Sequence, residues 1–195
     1  MRVYGPGATI LRQEDDPSGV FIIRRGRAKL FCLTRIGKTL TMGIGGPGSM
    51  LGLTAVLLDT TYEATAVALH ETNVDYICRK DFLQFLDETP ALAVDLLPIV
   101  GREASNALTE LVDTAGRLPL SERLMHRFKT LSETWSHRTA DGVKLDLPLT
   151  VQDIAESLGC SRQWASKVLK DLEDQGSIRR RGRSITLTNI PQNER

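Results

Sequence analysis

Cysteine is scarce in this chain. Three residues in 195, Cys32, Cys78 and Cys160, lie far apart, with no C-x-x-C pair and no histidine cluster beside them. An odd count without paired spacing excludes a disulfide framework and a structural zinc site, and it fits a reducing cytoplasm. Cys160 reads as a small buried hydrophobe rather than a redox switch. Long apolar runs are missing too. None reaches the ~18 residues that span a bilayer, and the opening M-R-V-Y-G-P-G-A-T has no apolar core of a secretion signal. The expectation is a cytoplasmic protein with no membrane partner, beginning almost directly in a strand and with little room for an N-terminal extension. G-x-S-x-G, Walker A, H-E-x-x-H and S-x-x-K are all absent. Most acidic residues of the N-terminal part sit in turns, so an enzyme is not expected and no cofactor is implied.

Charge of one sign is not in excess overall, since the net charge is only +1, but it is unevenly spread. Residues 117–195 carry 14 Lys/Arg against 10 Asp/Glu, and residues 1–116 carry 11 against 14. The basic half holds the most informative stretch, Leu149 to Leu187. Thr150 is placed to cap a helix, because its hydroxyl can accept a first-turn N–H. Val151, Ile154, Ala155 and Leu158 follow at helical spacing. Gly159 breaks that run, and Ser161 can cap a second helix whose apolar stripe is Ala165, Val168, Leu169 and Leu172. Two short helices joined by a tight turn containing Gly make a helix-turn-helix. The faces left free by the second stripe carry Arg162, Gln163, Ser166 and Lys167 near its start, where a recognition helix meets base edges, and the capping residues Thr150 and Ser161 are further candidates for DNA contact. Trp164 either packs against a thymine methyl or sugar edge, or covers the helix junction. Beyond Gly176, residues 177–187 read as a hairpin with Arg179, Arg180, Arg181 and Arg183 around Gly182, a wing whose arginines suit phosphate. The unit is a winged helix that binds double-stranded DNA.

Residues 1–80 have no helical period until their last third. Apolar stretches recur instead at Thr9–Leu11, Val20–Ile23, Ala28–Leu33, Thr39–Ile44, Ala64–Leu69 and Val74–Ile77, separated by turn signals such as Arg25-Gly26-Arg27 and Ile36-Gly37-Lys38. Strands about ten residues apart, bounded by Gly and Pro, indicate a small β-barrel or sandwich. Met50–Leu58 is expected to be a short helix between strands. Asp81 is expected to cap a helix through Phe82, Phe85 and Leu86, and Thr89 a longer one with Pro90 in its first turn. In that longer helix Leu97, Ala104 and Leu111 lie seven apart, as do Val100 and Ala107, and Leu108 and Val112 widen the stripe. Such spacing suits packing against a second copy, with Leu108 and Val112 also able to meet the chain's own barrel. Pro98 should kink or interrupt it. Gly116–Pro119 is a hinge candidate, and a helix opening at Ser121 presents Leu124, Phe128 and Leu131. His137–Gly142 reads as a polar loop and Lys144–Pro148 as a short strand. The fold class is α+β, divided as a barrel over 1–88, a dimerisation helix and hinge over 89–116, and the winged helix-turn-helix over 117–195.

This order resembles the cyclic-AMP receptor protein/Fnr (Crp/Fnr) family of bacterial transcription regulators. The likeness rests on G-C-S-R-Q-W-A-S-K-V-L-K-D-L-E-D-Q-G-S-I, on G-V-F-I-I-R-R-G-R-A-K-L and on G-P-G-S-M-L-G-L. It implies a double-stranded β-helix, or jelly-roll barrel, for the N-terminal part and a homodimer through the long helix. It also implies two recognition helices in successive major grooves of a near-palindromic site, ~34 Å apart. RNA polymerase enters as a further candidate partner. Members act as activators, repressors or both.

The cyclic-nucleotide-binding members place a Gly-Glu pair at the start of the short helix and an Arg-Ser pair about eleven residues later. The corresponding positions here are Gly52-Leu53 and Glu63-Ala64. Leu53 cannot accept from a ribose hydroxyl, and Glu63 would repel the phosphate. A like-charge contact near 4 Å costs about 4 kcal/mol at an effective dielectric of 20, nearly a thousandfold in affinity. Cyclic AMP is therefore not expected to bind in the usual pose. The cysteine cluster of the iron–sulfur members is missing, and His70, His126 and His137 map onto no haem ligand. A sensor of some other small molecule, or a constitutive DNA binder with a ligand-free barrel, are both open readings. In place of the family's R-E-x-x-x-R stands Arg162-Gln163-Trp164-Ala165-Ser166-Lys167. Gln163 favours adenine where Glu would accept from cytosine, and Lys167 lacks the fork of Arg, so the site read should be different.

Overall fold

A computed structural model describes residues 1–188 apart from Ile36, Lys38, Gly116, Arg117, Trp135 and Pro148. The turn expected at 36–38 and the hinge expected at 116–119 therefore fall partly outside the described residues, as does the last residue of the strand expected at Lys144–Pro148. Contacts divide the chain into two compact units, Met1–Asn106 and Ala107–Arg195.

The first unit is a jelly roll. Its strands are β1 (Arg2–Tyr4), β2 (Thr9–Leu11), β3 (Gly19–Arg25), β4 (Ala28–Leu33), β5 (Thr39–Gly45), β6 (Met50–Leu51), β7 (Thr65–Ala68) and β8 (Thr72–Cys78), with α1 (Leu53–Leu58) between β6 and β7. They form two antiparallel four-stranded sheets in the orders β1-β8-β3-β6 and β2-β7-β4-β5. Alternation decides which side chains fill the space between the sheets. Phe21, Ile23, Leu51 and Val74 of the first sheet meet Ile10, Leu11, Ala28, Ala66 and Ala68 of the second in one buried cluster. Val20, on the opposite face of β3, joins Leu53, Val56, Phe82 and Leu96 in another. That second cluster seats α1, α2 (Arg79–Glu88) and the first part of α3 (Pro90–Ala115) on the barrel.

Three expectations for this unit shift. The segment Met50–Leu58 is not all helix. Its first two residues pair with Phe21 and Ile22 of β3, and Gly52 turns the chain into α1 with φ 77°. A Cβ at Gly52 would lie 2.5 Å from Tyr62 Cε1, so the position requires glycine for space as well as for backbone. The cap of α2 is Cys78, whose Sγ accepts from Asp81 N at 3.4 Å, so Asp81 sits in the first turn instead of capping it. Pro98 does not interrupt α3, which is continuous over 26 residues.

The second unit contains α4 (Leu120–Thr134), β9 (Ser136–Thr139), β10 (Gly142–Leu145), α5 (Val151–Leu158), α6 (Arg162–Asp174), β11 (Ile178–Arg181) and β12 (Ser184–Leu187). Its sheet runs β11-β12-β10-β9, antiparallel throughout. The expected polar loop at His137–Gly142 is thus mostly an edge strand and its turn, paired to β10 by backbone bonds. Its exposed side chains hide that pairing, because an edge strand open to solvent shows no apolar alternation. One core holds the unit together: Leu124 and Phe128 of α4, Ile154, Ala155 and Leu158 of α5, the four-residue stripe of α6, and Ile178, Ile185 and Leu187 of the sheet. Leu169 of that stripe is a large side chain 0% exposed. Leu169→Ala should destabilise this unit by ~2–5 kcal/mol, read as a fall in its urea midpoint with an unchanged m-value.

Candidate nucleic-acid interface and effector region

The helix-turn-helix is built by two caps and one turn. Thr150 Oγ1 accepts from Asp153 N at 3.1 Å while the Asp153 carboxylate accepts from Thr150 N at 2.9 Å, a reciprocal capping box that starts α5. Gly159 ends α5 in the left-handed region, φ 66°, and its N–H bonds back to Ala155 and Glu156 carbonyls. Ser161 then starts α6 by accepting from Trp164 N at 3.3 Å. Thr150 and Ser161 thus hold the motif's geometry, whatever they touch besides.

Burial of Ala165, Val168, Leu169 and Leu172 orients α6 about its axis. Arg162, Gln163, Ser166 and Lys167 are consequently all exposed on the other side. Together with Ser161, Lys170, Glu173 and Arg180 they line one open trough between the helix and the wing. Four cations against one carboxylate make that trough strongly positive. Lys170 and Glu173 did not figure among the expected residues. Lys170 was legible, lying three residues beyond Lys167 on the same helical face. Trp164 is 56% exposed and outside the core. Lys167 Nζ stands 5.2 Å from its ring centroid, a cation–π contact that holds the two side chains together. Its ring is thus displayed largely to solvent beside Lys167.

The wing arginines divide into two pairs. Arg179 Nη1 meets Asp141 Oδ1 at 2.6 Å, and Arg180 Nη1 lies 3.6 Å from Glu173 Oε2. Arg181 and Arg183 are exposed on either side of Gly182 at the tip, φ 63°. Four arginines of one type thus have two different employments, internal pairing and solvent display.

In the barrel unit, the four residues expected around an effector have different surroundings. Leu53 is 1% exposed and packs in the cluster with Val20, Val56, Phe82 and Leu96. Gly52 lies against the Tyr62 ring, and Ala64 is buried. Tyr62 Oη donates to Gly19 O at 2.7 Å and accepts from Gly19 N at 3.1 Å, which clips the α1–β7 connection to β3. Glu63 is exposed, yet partial desolvation pushes its carboxyl pKa up. Glu103 of α3 is pushed up as well, first by burial, and further by the Glu63 charge, against a lowering hydrogen bond from Thr54 Oγ1 at 3.5 Å. The two carboxylates are thus close enough for the charge of Glu63 to act on Glu103.

Along α3, Leu97, Leu108, Leu111 and Val112 are 60–67% exposed, and Ala104 and Ala107 are exposed with them. Val100 is half-buried and packs toward the barrel-side cluster with Leu96 and Ile99. Among the described residues no group of three His, Cys, Asp or Glu could hold a metal ion, and no helix is long and apolar enough to cross a membrane.

Comparisons with known proteins agree with this geometry. Residues 1–89 match a family model described as a cyclic nucleotide-binding domain, and residues 122–192 one described as a Crp-like helix-turn-helix domain. The chain is 28% identical over 186 residues to the transcriptional activator protein FnrA of Stutzerimonas stutzeri, covering 93% of this chain and 73% of that protein. It is 25% identical over 178 residues to the cyclic AMP receptor protein of Thermus thermophilus, covering 91% and 79%. The solved structure of FixK2 from Bradyrhizobium japonicum superposes with TM-score 0.81 at 21% identity, over 96% of this chain and 91% of that one.

The raised Glu103 pKa carries a pH signature. The folded chain holds that proton more tightly than the unfolded one, so the contribution to stability is full at low pH and is lost as pH rises through the raised value. Glu103→Gln should therefore raise the melting temperature at neutral pH. Thermal melts should show the gap to the parent closing as pH falls below the ordinary glutamate range.

Proposed function

The chain belongs to the Crp/Fnr family of transcription regulators, and from that premise we propose which of its residues read DNA and what its barrel declines to bind. It is a sequence-specific DNA-binding regulator acting as a homodimer. One observation carries the assignment of residues: the polar start of α6 is turned outward, over a positive trough, by burial of the opposite stripe. Arg162 is set to take guanine bidentately, Gln163 adenine, and Ser166 and Lys167 the neighbouring base or phosphate. Trp164, exposed beside Lys167, is available to a thymine methyl or a sugar edge. Arg181 and Arg183 hold phosphate. Leu97, Ala104, Ala107, Leu108 and Leu111 form the seam between the two long helices, with Val100 at its barrel-side margin. Contacts to a near-palindromic site then come twice, about one helical turn (~34 Å) apart. RNA polymerase is the proposed protein partner, a reading supported by the Stutzerimonas relative being a transcriptional activator.

The barrel, though of the cyclic-nucleotide-binding kind, is proposed not to take cyclic AMP in the usual pose. Leu53 supplies no acceptor, and Glu63 and Glu103 put negative charge beside the helix start where a phosphate would lie.

Binding to selected duplexes tests the reader. Arg162→Ala should cost ~1–3 kcal/mol and relax discrimination at one base, while Arg181→Ala should weaken all sequences alike and lower the salt slope by ~1. Equal effects of the two on random DNA would contradict the division of roles. Calorimetric titration with cyclic AMP should show no saturable binding in the micromolar range, and a saturable isotherm there would overturn the reading of the barrel.

A further inference from the structure

We infer that Glu173 is the positioning residue of the wing and that Arg180 is its strut, so that Arg180, despite its place in the trough, holds no phosphate. The inference rests on the DNA-reading assignment above but is argued from contacts within the winged unit. Because the sheet runs β11-β12-β10-β9, β11 is an edge strand with one row of backbone groups left without a strand partner. The N–H of Arg180 lies in that row, and it donates to Glu173 Oε1 at 3.0 Å. The second oxygen of the same carboxylate faces the Arg180 guanidinium at 3.6 Å. One side chain in the last turn of the recognition helix thus binds both the backbone and the side chain of one wing residue.

The charge-assisted bond to the amide is directional and fixes how far the strand stands from the helix. The neighbouring guanidinium neutralises a carboxylate that would otherwise repel the DNA backbone from inside the trough. Arg180 and Glu173 are side chains only 25% and 33% exposed, whereas Arg181 and Arg183 are exposed at the tip. The wing's phosphate contacts accordingly fall to the tip pair, and the spacing from tip to recognition helix is set by Glu173.

Two measurements test this. Without DNA, hydrogen exchange of the Arg180 amide should accelerate markedly in Glu173→Ala and stay near the parent rate in Glu173→Gln, whose amide oxygen still accepts. Equal exchange in all three proteins would overturn the clamp. With a specific duplex, fluorescence anisotropy across a salt series separates strut from contact. Arg181→Gln should lower the slope of log affinity against log salt by ~1. The double variant Glu173→Gln/Arg180→Gln should keep the parent slope and bind within a few-fold of it. Glu173→Gln alone, which releases the guanidinium, should tighten binding to any duplex and steepen the slope. A full unit of slope lost in the double variant would make Arg180 a phosphate contact and overturn the inference. Loss of salt-dependent binding by the parent chain would instead refute the DNA-reading assignment, leaving the exchange result to judge the clamp.

Discussion

Burial of four side chains on α6 is the constraint from which the working surface follows. Ala165, Val168, Leu169 and Leu172 occupy one stripe, and each is nearly or fully removed from water against α4, α5 and the small sheet. A helix has only one such orientation available, so the remaining positions have no freedom about where they point. Arg162, Gln163, Ser166, Lys167 and Lys170 are presented together because the opposite face is taken. The caps at Thr150 and Ser161 and the left-handed Gly159 then set where each helix begins. The outward polar surface of α6 is here a by-product of core packing plus three turn residues.

The wing applies a second constraint of a different kind. Strand alternation sends Ile178 and Arg180 to one side of β11 and Arg179 and Arg181 to the other. The inner side meets the helix and offers a carboxylate, and Arg179 across the sheet finds Asp141. Only at the tip does the chain run out of neighbours, leaving Arg181 and Arg183 in solvent. An arginine count therefore overstates the phosphate-binding power of a wing when acidic residues stand within reach of its strands.

The barrel shows the same logic on its input side. Small residues at Ala28, Ala66 and Ala68 let the two sheets close on larger ones opposite, and Tyr62 ties the connection after α1 to β3 with two bonds. Leu53 is drawn into the packing of α1 against the barrel. Leu53 is in this chain a core residue, 1% exposed. Burial raises the pKa of both Glu63 and Glu103, and the charge of Glu63 raises that of Glu103 further. The barrel unit thus pairs a patch of negative charge at Glu63 and Glu103 with an exposed apolar face on α3.

Much of this was legible in residue order alone, because it depends on neighbours close along the chain. Helical spacing, the S/T caps and the glycine turn identify the helix-turn-helix and its outward residues. Gly- and Pro-bounded apolar stretches identify most of the barrel strands. What residue order left open depends on contacts between residues far apart in it. The two-residue strand Met50–Leu51 exists only because β3 lies beside it, and β9 only because β10 does. Cys78 became a cap because α2 starts at Arg79, two residues before the acidic residue that looked like its signal. The recognition stretch itself, Leu149 to Leu187, divides the same way. Its two helices, turn and hairpin were written locally, whereas the pairing of Glu173 with Arg180 and of Asp141 with Arg179 required the folded sheet. Local spacing determines which side chains a helix can offer, and tertiary packing decides which of those charges are already taken.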